Sequence, residues 1–480
     1  MATTDESPGE ETLSRIPRDA VRSLETAVAG DVVLPGDPAY GDVRRLWNGM
    51  IDRYPAIVVR CTGVADVVEA VTFAREEGLP VAVRGGGHNV AGTAVCDGGL
   101  VVDLSEMNAV RVDREDGTVR VEGGATLGDV DRETQRFALA TPLGVVSETG
   151  VAGLTLNGGY GHLSRQYGLS LDNLTSVDVV TADGQVRTAS AERNEDLFWG
   201  IRGGGGGLGV VTSFEYELHE VGPEVYALFA WFHGDDTAAV MARYREWTAD
   251  APREASVIAF TAHVPEIEEF PEETRGAPAF AVFGCYRGDP EDATDVFGPL
   301  LEGDDGEGIA IADFSGPMPY VDLQSMLDED YPDGLRYYWK SVFLTEVTDE
   351  VVDLMIRYNE AAPSAFSTVD LWHLGGAIEE VAPDATAFSH RDKPFMLNFE
   401  ANWEEAADDE ANVAWGREGI AEAERLAVAS GGYGNFPGMN EDPARRRFGD
   451  NHERLVELKT EYDPENLFGA NGGVTPASSD

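Results

Sequence analysis

The chain has 480 residues, with 87 acidic against 35 basic side chains and a formal net charge of −52. A surface so charged repels nucleic acid and anionic membranes, which excludes both as expected partners. No run approaches the ~18 continuous apolar residues of a membrane span, and the length leaves room for roughly two or three domains.

Taken in order, residues 1–20 are polar and predicted to be disordered. They lack the basic and apolar regions of a secretory signal. The acids are spread along the whole chain and the only lysines are Lys340, Lys393 and Lys459. This pattern is expected of a salt-adapted, halophilic cytoplasmic protein, because in molar salt the Debye length shrinks to about 3 Å. An ordinary acidic protein is the alternative. Ile57–Arg60 reads as a strand, and Val64–Glu77 as a helix closed by Gly78. Val81 to Arg84 then reads as a strand running into Gly85, Gly86, Gly87 and His88. Glycines without Cβ atoms let backbone N–H groups approach a phosphate, and the histidine would stand beside whatever is held there. A glycine-rich turn with an unrelated histidine is the competing reading.

A buried strand at Leu100–Leu104 and a hairpin around Asp116-Gly117 follow, then a helix over 125–137. From Thr141 to Asn173 glycines recur at 144, 150, 153, 158, 159, 161 and 168. That density argues against helix, since each interior Gly costs about 1 kcal/mol against Ala. The interspersed leucines argue against a solvated linker, so backbone pressed on a large planar or phosphorylated ligand is the preferred reading. A second hairpin surrounds Asp183-Gly184. Gly204, Gly206 and Gly209 fit G-x-G-x-x-G, but a helix precedes them and a strand (Val210 onward) follows. The dinucleotide motif needs the reverse order. A nicotinamide-dependent reductase is therefore disfavoured.

Composition changes after Glu220. Strand-like runs (226–233, 257–263, 279–286) and helical ones (238–249, 349–361) suggest an antiparallel sheet with helices. At Pro394–Trp403 strict alternation puts Met396, Asn398, Glu400 and Asn402 on one face. Glu400 and Asn402 are expected to face water, with a cavity wall as the alternative. Cys61, Cys96 and Cys285 have no metal spacing, so no metal site or disulfide is expected. The expected domains are residues 21–221, 222–430, and a returning segment 431–480.

Four motifs together resemble the FAD-linked oxidases of the berberine-bridge-enzyme and 6-hydroxy-D-nicotine-oxidase type. These enzymes have a PCMH-like (vanillyl-alcohol-oxidase-like) FAD domain. The motifs are Arg84–Asn89, Gly150–Gly161, Tyr167–Asn173 and Tyr462–Phe468. The resemblance implies an α+β fold, an FAD domain plus an antiparallel-sheet substrate domain. It also implies FAD cradled by Gly85–Gly87 with flanking Arg84 and Asn89, and covalent attachment through His88. Many relatives also attach the flavin to a cysteine, but Val146 stands there, so attachment through His88 only is expected. The cofactor set extends by the same resemblance to Gly144, Thr149, Gly150, Gly153, Leu154 and Asn157. It continues through Gly158, Gly159, Gly161 and His162, and further on includes Gly209, Val210, Val211, Asn435 and Asn471. His162 is read as packing rather than a base.

The implied reaction is hydride transfer from a C–H bearing OH or NH, in a sugar, alcohol, amine or alkaloid-like small molecule. Dioxygen is the expected acceptor, with hydrogen peroxide released and Thr149 near the flavin. Another acceptor, or an FAD-binding protein with non-redox or lost activity, is the alternative. A base must reach the proton it removes. The candidates are Tyr338 and Lys340 in Tyr337–Ser341, with Tyr433 behind them and His373 and Glu400 as lesser ones. A partnership with one of the many acids is the competing reading of Lys340.

Overall fold

A computed structural model describes residues 6–303, 306 and 308–477. The N-terminal half holds two main sheets, besides a two-stranded pairing of Leu139–Ala140 with His219–Glu220. In the first, Ile57–Arg60, Leu100–Asp103 and Val81–Arg84 pair in parallel, with Asp31–Val33 antiparallel at one edge. These short strands are rich in valine and largely buried, as strands covered on both faces must be. The helix Val64–Glu77 lays Val67, Ala70, Val71 and Ala74 on the core side, where each fully buried valine contributes about 1.5–3 kcal/mol. The second sheet is antiparallel, in the order Val110–Asp113, Thr118–Glu122, Val210–Glu217, Leu174–Val180, Val186–Ser190. Both expected hairpins lie within it.

Residues 224–430 build a nine-stranded sheet. Its inner strands run Pro278–Tyr286, Ala255–His263, Thr368–His373, Phe395–Trp403, Arg336–Leu344, each antiparallel to the next. One face packs on the helices Thr237–Asp250, Asp349–Glu360 and Asp409–Ala423 through Leu371, Leu397, Phe399 and Val342. The other face turns toward the N-terminal half, where Trp372, Met396 and Phe343 join its core cluster. The C-terminal helix His452–Tyr462 returns to the N-terminal half, against the helix Glu195–Ile201.

Two expectations are corrected. Residues 8–15 and 18–27 are helices rather than disordered chain. Ser7 and Glu10 cap the first reciprocally, with Pro8 in its first turn, a capping box visible in the sequence. Residues 1–5 lie outside the described residues. The glycine-rich segment also contains the helix Val151–Leu156, with Gly153 inside it.

Asp66 ties this N-terminal region to the first sheet. Its carboxylate accepts from the N–H groups of Ala29, Gly30 and Thr62 and from the Thr62 hydroxyl. Burial opposes the charge, but these bonds outweigh it and hold the carboxyl below its ordinary range. A depressed carboxyl stabilises the fold above its unfolded pKa of about 3.9. That stability is lost as pH falls through the lower folded value. Asp66→Asn is therefore expected to cost about 2 kcal/mol at neutral pH and almost nothing in strong acid. Urea melts of both proteins across that range would check it.

Candidate active site

A cleft with about 1380 Å³ of empty space, part of it open to solvent, lies between the N-terminal half and the nine-stranded sheet. Its floor is the glycine loop after Val81–Arg84. Gly85, Gly86, Gly87, His88 and Asn89 all line it. Two glycines here serve the protein before any ligand. A Cβ on Gly86 would sit 2.5 Å from the Gly150 nitrogen, and one on Gly150 would sit 2.4 Å from the Gly86 nitrogen. The two loops thus meet backbone to backbone. Gly153 differs, because a Cβ there would meet nothing within 4 Å, and the residue is exposed on the cavity wall. Gly153→Leu is accordingly expected to fold with an unchanged melting temperature yet lose FAD. Flavin absorbance of the purified protein, beside its melting curve, would check this.

Of the expected cofactor residues, Gly144, Thr149, Leu154, Asn157, Gly209, Val211, Asn435 and Asn471 also line the cavity. Arg84, Gly158, Gly159, Gly161, His162 and Val210 stand behind the wall. Arg84 donates to the Val43 carbonyl, and His162 is buried edge-on against Phe283. Tyr433 lines the cavity and accepts from Gly159 N–H at 2.9 Å and Asn435 Nδ2 at 3.0 Å. Burial raises its pKa. Those contacts make it a clamp between the 158–160 loop and the C-terminal segment.

Lys340 and Tyr338 are elsewhere. Their side chains are on the opposite face of Arg336–Leu344 from Trp339, because strand neighbours alternate. Lys340 pairs with Asp442 at 2.9 Å and Glu441 at 3.5 Å, and the Tyr338 hydroxyl donates to Glu441. Neither lines the cavity. His373 is likewise turned away, stacked on Phe395.

The cavity's substrate side is instead formed by Trp339, Trp372, Tyr160, Tyr331, Phe436 and Glu400. Glu400 and Asn402 are buried, 2% and 3% exposed, which corrects the expectation that they face water. Glu400 accepts from the Tyr331 hydroxyl at 2.9 Å and from Asn398 Nδ2 at 2.6 Å. Asp370, opposite Asn398 in the sheet, shares that face and reaches Glu400 side chain to side chain. Burial pushes Asp370 up to about 6. Burial, and next the Asp370 charge, hold Glu400 well above the usual carboxylate range. Two carboxyls so close cannot both ionise, so at neutral pH they hold one proton and one negative charge.

His88 is the ionisable group on the floor. Burial lowers its pKa to about 4, so the ring is neutral, and its Nε2 is buried without a hydrogen-bond partner. A Gly-lined floor, an open wall at Gly153, apolar Val145, Val146 and Val211, and an unpartnered imidazole fit a flavin nucleotide.

The FAD binding domain family matches residues 55–190, and the berberine and berberine-like family matches residues 432–475. An FAD-linked oxidoreductase of Dictyostelium discoideum is 32% identical over 455 residues, 94% of this chain and 95% of that one. The chain belongs to the berberine-bridge-type FAD-linked oxidoreductases. The (R)-6-hydroxynicotine oxidase of Paenarthrobacter nicotinovorans is another relative of this oxidoreductase, 30% identical over 94% of this chain and 98% of that one. The crystal structure of 6-hydroxy-D-nicotine oxidase from Arthrobacter nicotinovorans superposes with a TM-score of 0.82 at 28% identity, covering 94% and 98% of the two chains. BBE-like 1 from Physcomitrella patens, 22% identical, shares the fold at a TM-score of 0.84 over 96% and 100%. The oxidoreductase is thus an enzyme with the expected α+β, PCMH-type architecture. Among the described residues no helix is long and apolar enough to cross a membrane.

The sequence offered few signals for the substrate side. Tyr331 and Phe436 come from irregular segments. Asp370 and Trp372 stand on a strand whose burial pattern depends on what covers it. Trp339 was visible beside Lys340, and the alternation of the strand would have separated them.

Proposed function

We propose that this FAD-linked oxidoreductase oxidises a carbon bearing an amine or hydroxyl in a small cyclic molecule, and that an amine fits the site better than a sugar. The observation that carries this reading is the Glu400–Asp370 pair set among Trp339, Trp372 and Phe436. One negative charge beside aromatic faces attracts a cation (each cation–π contact contributes about 0.5–2 kcal/mol). A sugar would need many hydroxyl partners, whereas the polar groups among these aromatic rings are chiefly Tyr331 and Glu400, with Asp370 behind Glu400.

FAD would be held by the Gly85–Gly87 loop, Gly153 and Asn471 and bonded through His88 only, and when bound it would supply the acceptor for two electrons as hydride. The chain's own residues do the remaining work. Trp339, Trp372 and Phe436 hold the ring and exclude water. Glu400, the member that lines the cavity, receives the heteroatom proton as the proton it shares passes to the ionised Asp370, and Tyr331 and Asn398 orient Glu400 by hydrogen bonds. The substrate thereby loses a proton to the pair and a hydride from carbon, leaving C=N or C=O. Dioxygen is proposed as terminal acceptor because the small residues Thr149, Ala94 and Ala152 line the same cavity.

The test is anaerobic bleaching of the flavin in molar salt by a panel of cyclic amines and of oligosaccharides, then peroxide release on admitting air. Bleaching by amines supports the reading. Bleaching by sugars alone overturns the substrate class, and bleaching by neither overturns the reaction.

A further inference from the structure

Residues 47–49 lie far from the glycine loop in the sequence but grip it in the fold. Trp47 stacks on the His88 ring with centroids 4.0 Å apart and planes 19° from parallel, and on Tyr337 at 3.6 Å and 9°. Its indole is fixed at the other end, because Nε1 donates to the Tyr331 carbonyl at 2.7 Å. Asn48 beside it is wholly buried and donates to the carbonyls of Val90 and Tyr337, while its side-chain oxygen accepts from Tyr337 N–H. Gly49 N–H donates to the Leu335 carbonyl, and a Cβ there would press to 2.3 Å on the Gly334 carbonyl. The three residues form a clasp with one side on the substrate sheet and the other on the His88 loop.

We infer that Trp47 is the positioning residue for covalent flavin attachment, holding the His88 ring at a fixed angle toward the cavity. The inference rests on the reading that His88 is the attachment site. His88 has no hydrogen bond at Nε2 to orient it, and apart from a hydrogen bond to its own backbone the stack on Trp47 is the contact that restrains the ring. An orientation held in advance removes rotational freedom from the bond-forming step. In that step a ring nitrogen bonds to the carbon of the flavin methyl. One proton leaves the methyl and the imidazole gives up its own N–H proton. The two electrons reduce the flavin, and dioxygen then reoxidises it, becoming hydrogen peroxide. The clasp makes this step depend on the seating of the substrate sheet, since Trp47 is anchored through Tyr331, whose hydroxyl holds Glu400.

The experiment follows attachment rather than turnover. Full-length wild type, Trp47→Leu, Trp47→Phe and a His88→Ala control are loaded with FAD in molar salt and sampled over time. Covalent flavin is read by mass on the His88 peptide, and total flavin by absorbance. Trp47→Leu is expected to bind FAD yet attach it about tenfold more slowly, the scale of one lost aromatic pair. Trp47→Phe keeps a ring and is expected to restore most of the rate, although it loses the bond to Tyr331. Attachment by Trp47→Leu at the wild-type rate would overturn the inference. Failure of Trp47→Leu to bind FAD, with Trp47→Phe equally defective, would reduce Trp47 to a structural wedge and overturn it too. Wild-type flavin that acid releases entirely would be a separate failure, that of His88 attachment itself.

Discussion

Glu400→Gln is expected to lower kcat/KM for an amine substrate by roughly 10²–10⁴-fold, the usual worth of a positioned base, with FAD content unchanged. In the wild type the Glu400–Asp370 pair carries one negative charge above about pH 6, the value to which Asp370 is raised. Below it both carboxyls are protonated and no acceptor remains. The rate should therefore fall as pH falls through about 6, with a slope of one proton. Glutamine keeps the volume and can still meet Tyr331, but it takes no proton and leaves Asp370 without its carboxyl partner. The variant should lose this limb of the pH profile as well as its rate. Steady-state kinetics across that range would check both. A variant within a few-fold of wild type, with the same limb, would remove Glu400 from the reaction.

The largest stability effect is expected in the C-terminal segment. Lys459 and Asp463 form an ion pair at 2.6 Å with side chains 1% and 0% exposed. Lys459 Nζ also donates to the Gly207 carbonyl, and Asp463 accepts from Leu467 and Phe468 N–H. Desolvation lowers the Lys459 pKa, opposed by the Asp463 carboxylate. Lys459→Met would leave a buried, uncompensated carboxylate. Breaking such a pair costs about 3–5 kcal/mol, whereas replacing both partners costs far less. Lys459→Met should lower the melting temperature by roughly 10 °C, and Lys459→Met with Asp463→Asn should recover part of that. The turn that this pair braces leads to Asn471, which accepts from Val83 N–H and donates to the Gly206 carbonyl. The single variant should therefore also hold FAD less tightly. Thermal melts and flavin retention on a desalting column would measure both effects.

The floor of the cavity was legible because it is built locally. A strand, three glycines and a histidine are contiguous, and no distant partner is needed to read them. The substrate wall was legible only as a pattern. Alternation over Phe395–Trp403 correctly grouped Met396, Asn398, Glu400 and Asn402. A polar face against a cavity and a polar face against water have the same period, however, and only the FAD half packed opposite decides between them. Lys340 shows how contiguity misleads. Tyr337 and Trp339 shortly precede it in the chain and face the FAD half, while Lys340 faces the acids at 441 and 442. Trp47 and Tyr331 gave no warning, since neither stands in a periodic element. The first helix was readable in Ser7, Pro8 and Glu10, but its polar composition masked it.

The contribution of Tyr433, Asn435 and Asn471 to the cavity has a consequence for biosynthesis. A chain emerging from the ribosome folds its N-terminal units first, so the parallel sheet and the glycine loop can form early. The walls of the cavity are nonetheless incomplete until residue 471 has cleared the exit tunnel. A nascent chain would present an open shelf with an exposed imidazole, able to hold a nucleotide only loosely. Loading of the prosthetic group thus belongs after translation, and its supply at that moment sets how much of the newly made protein matures.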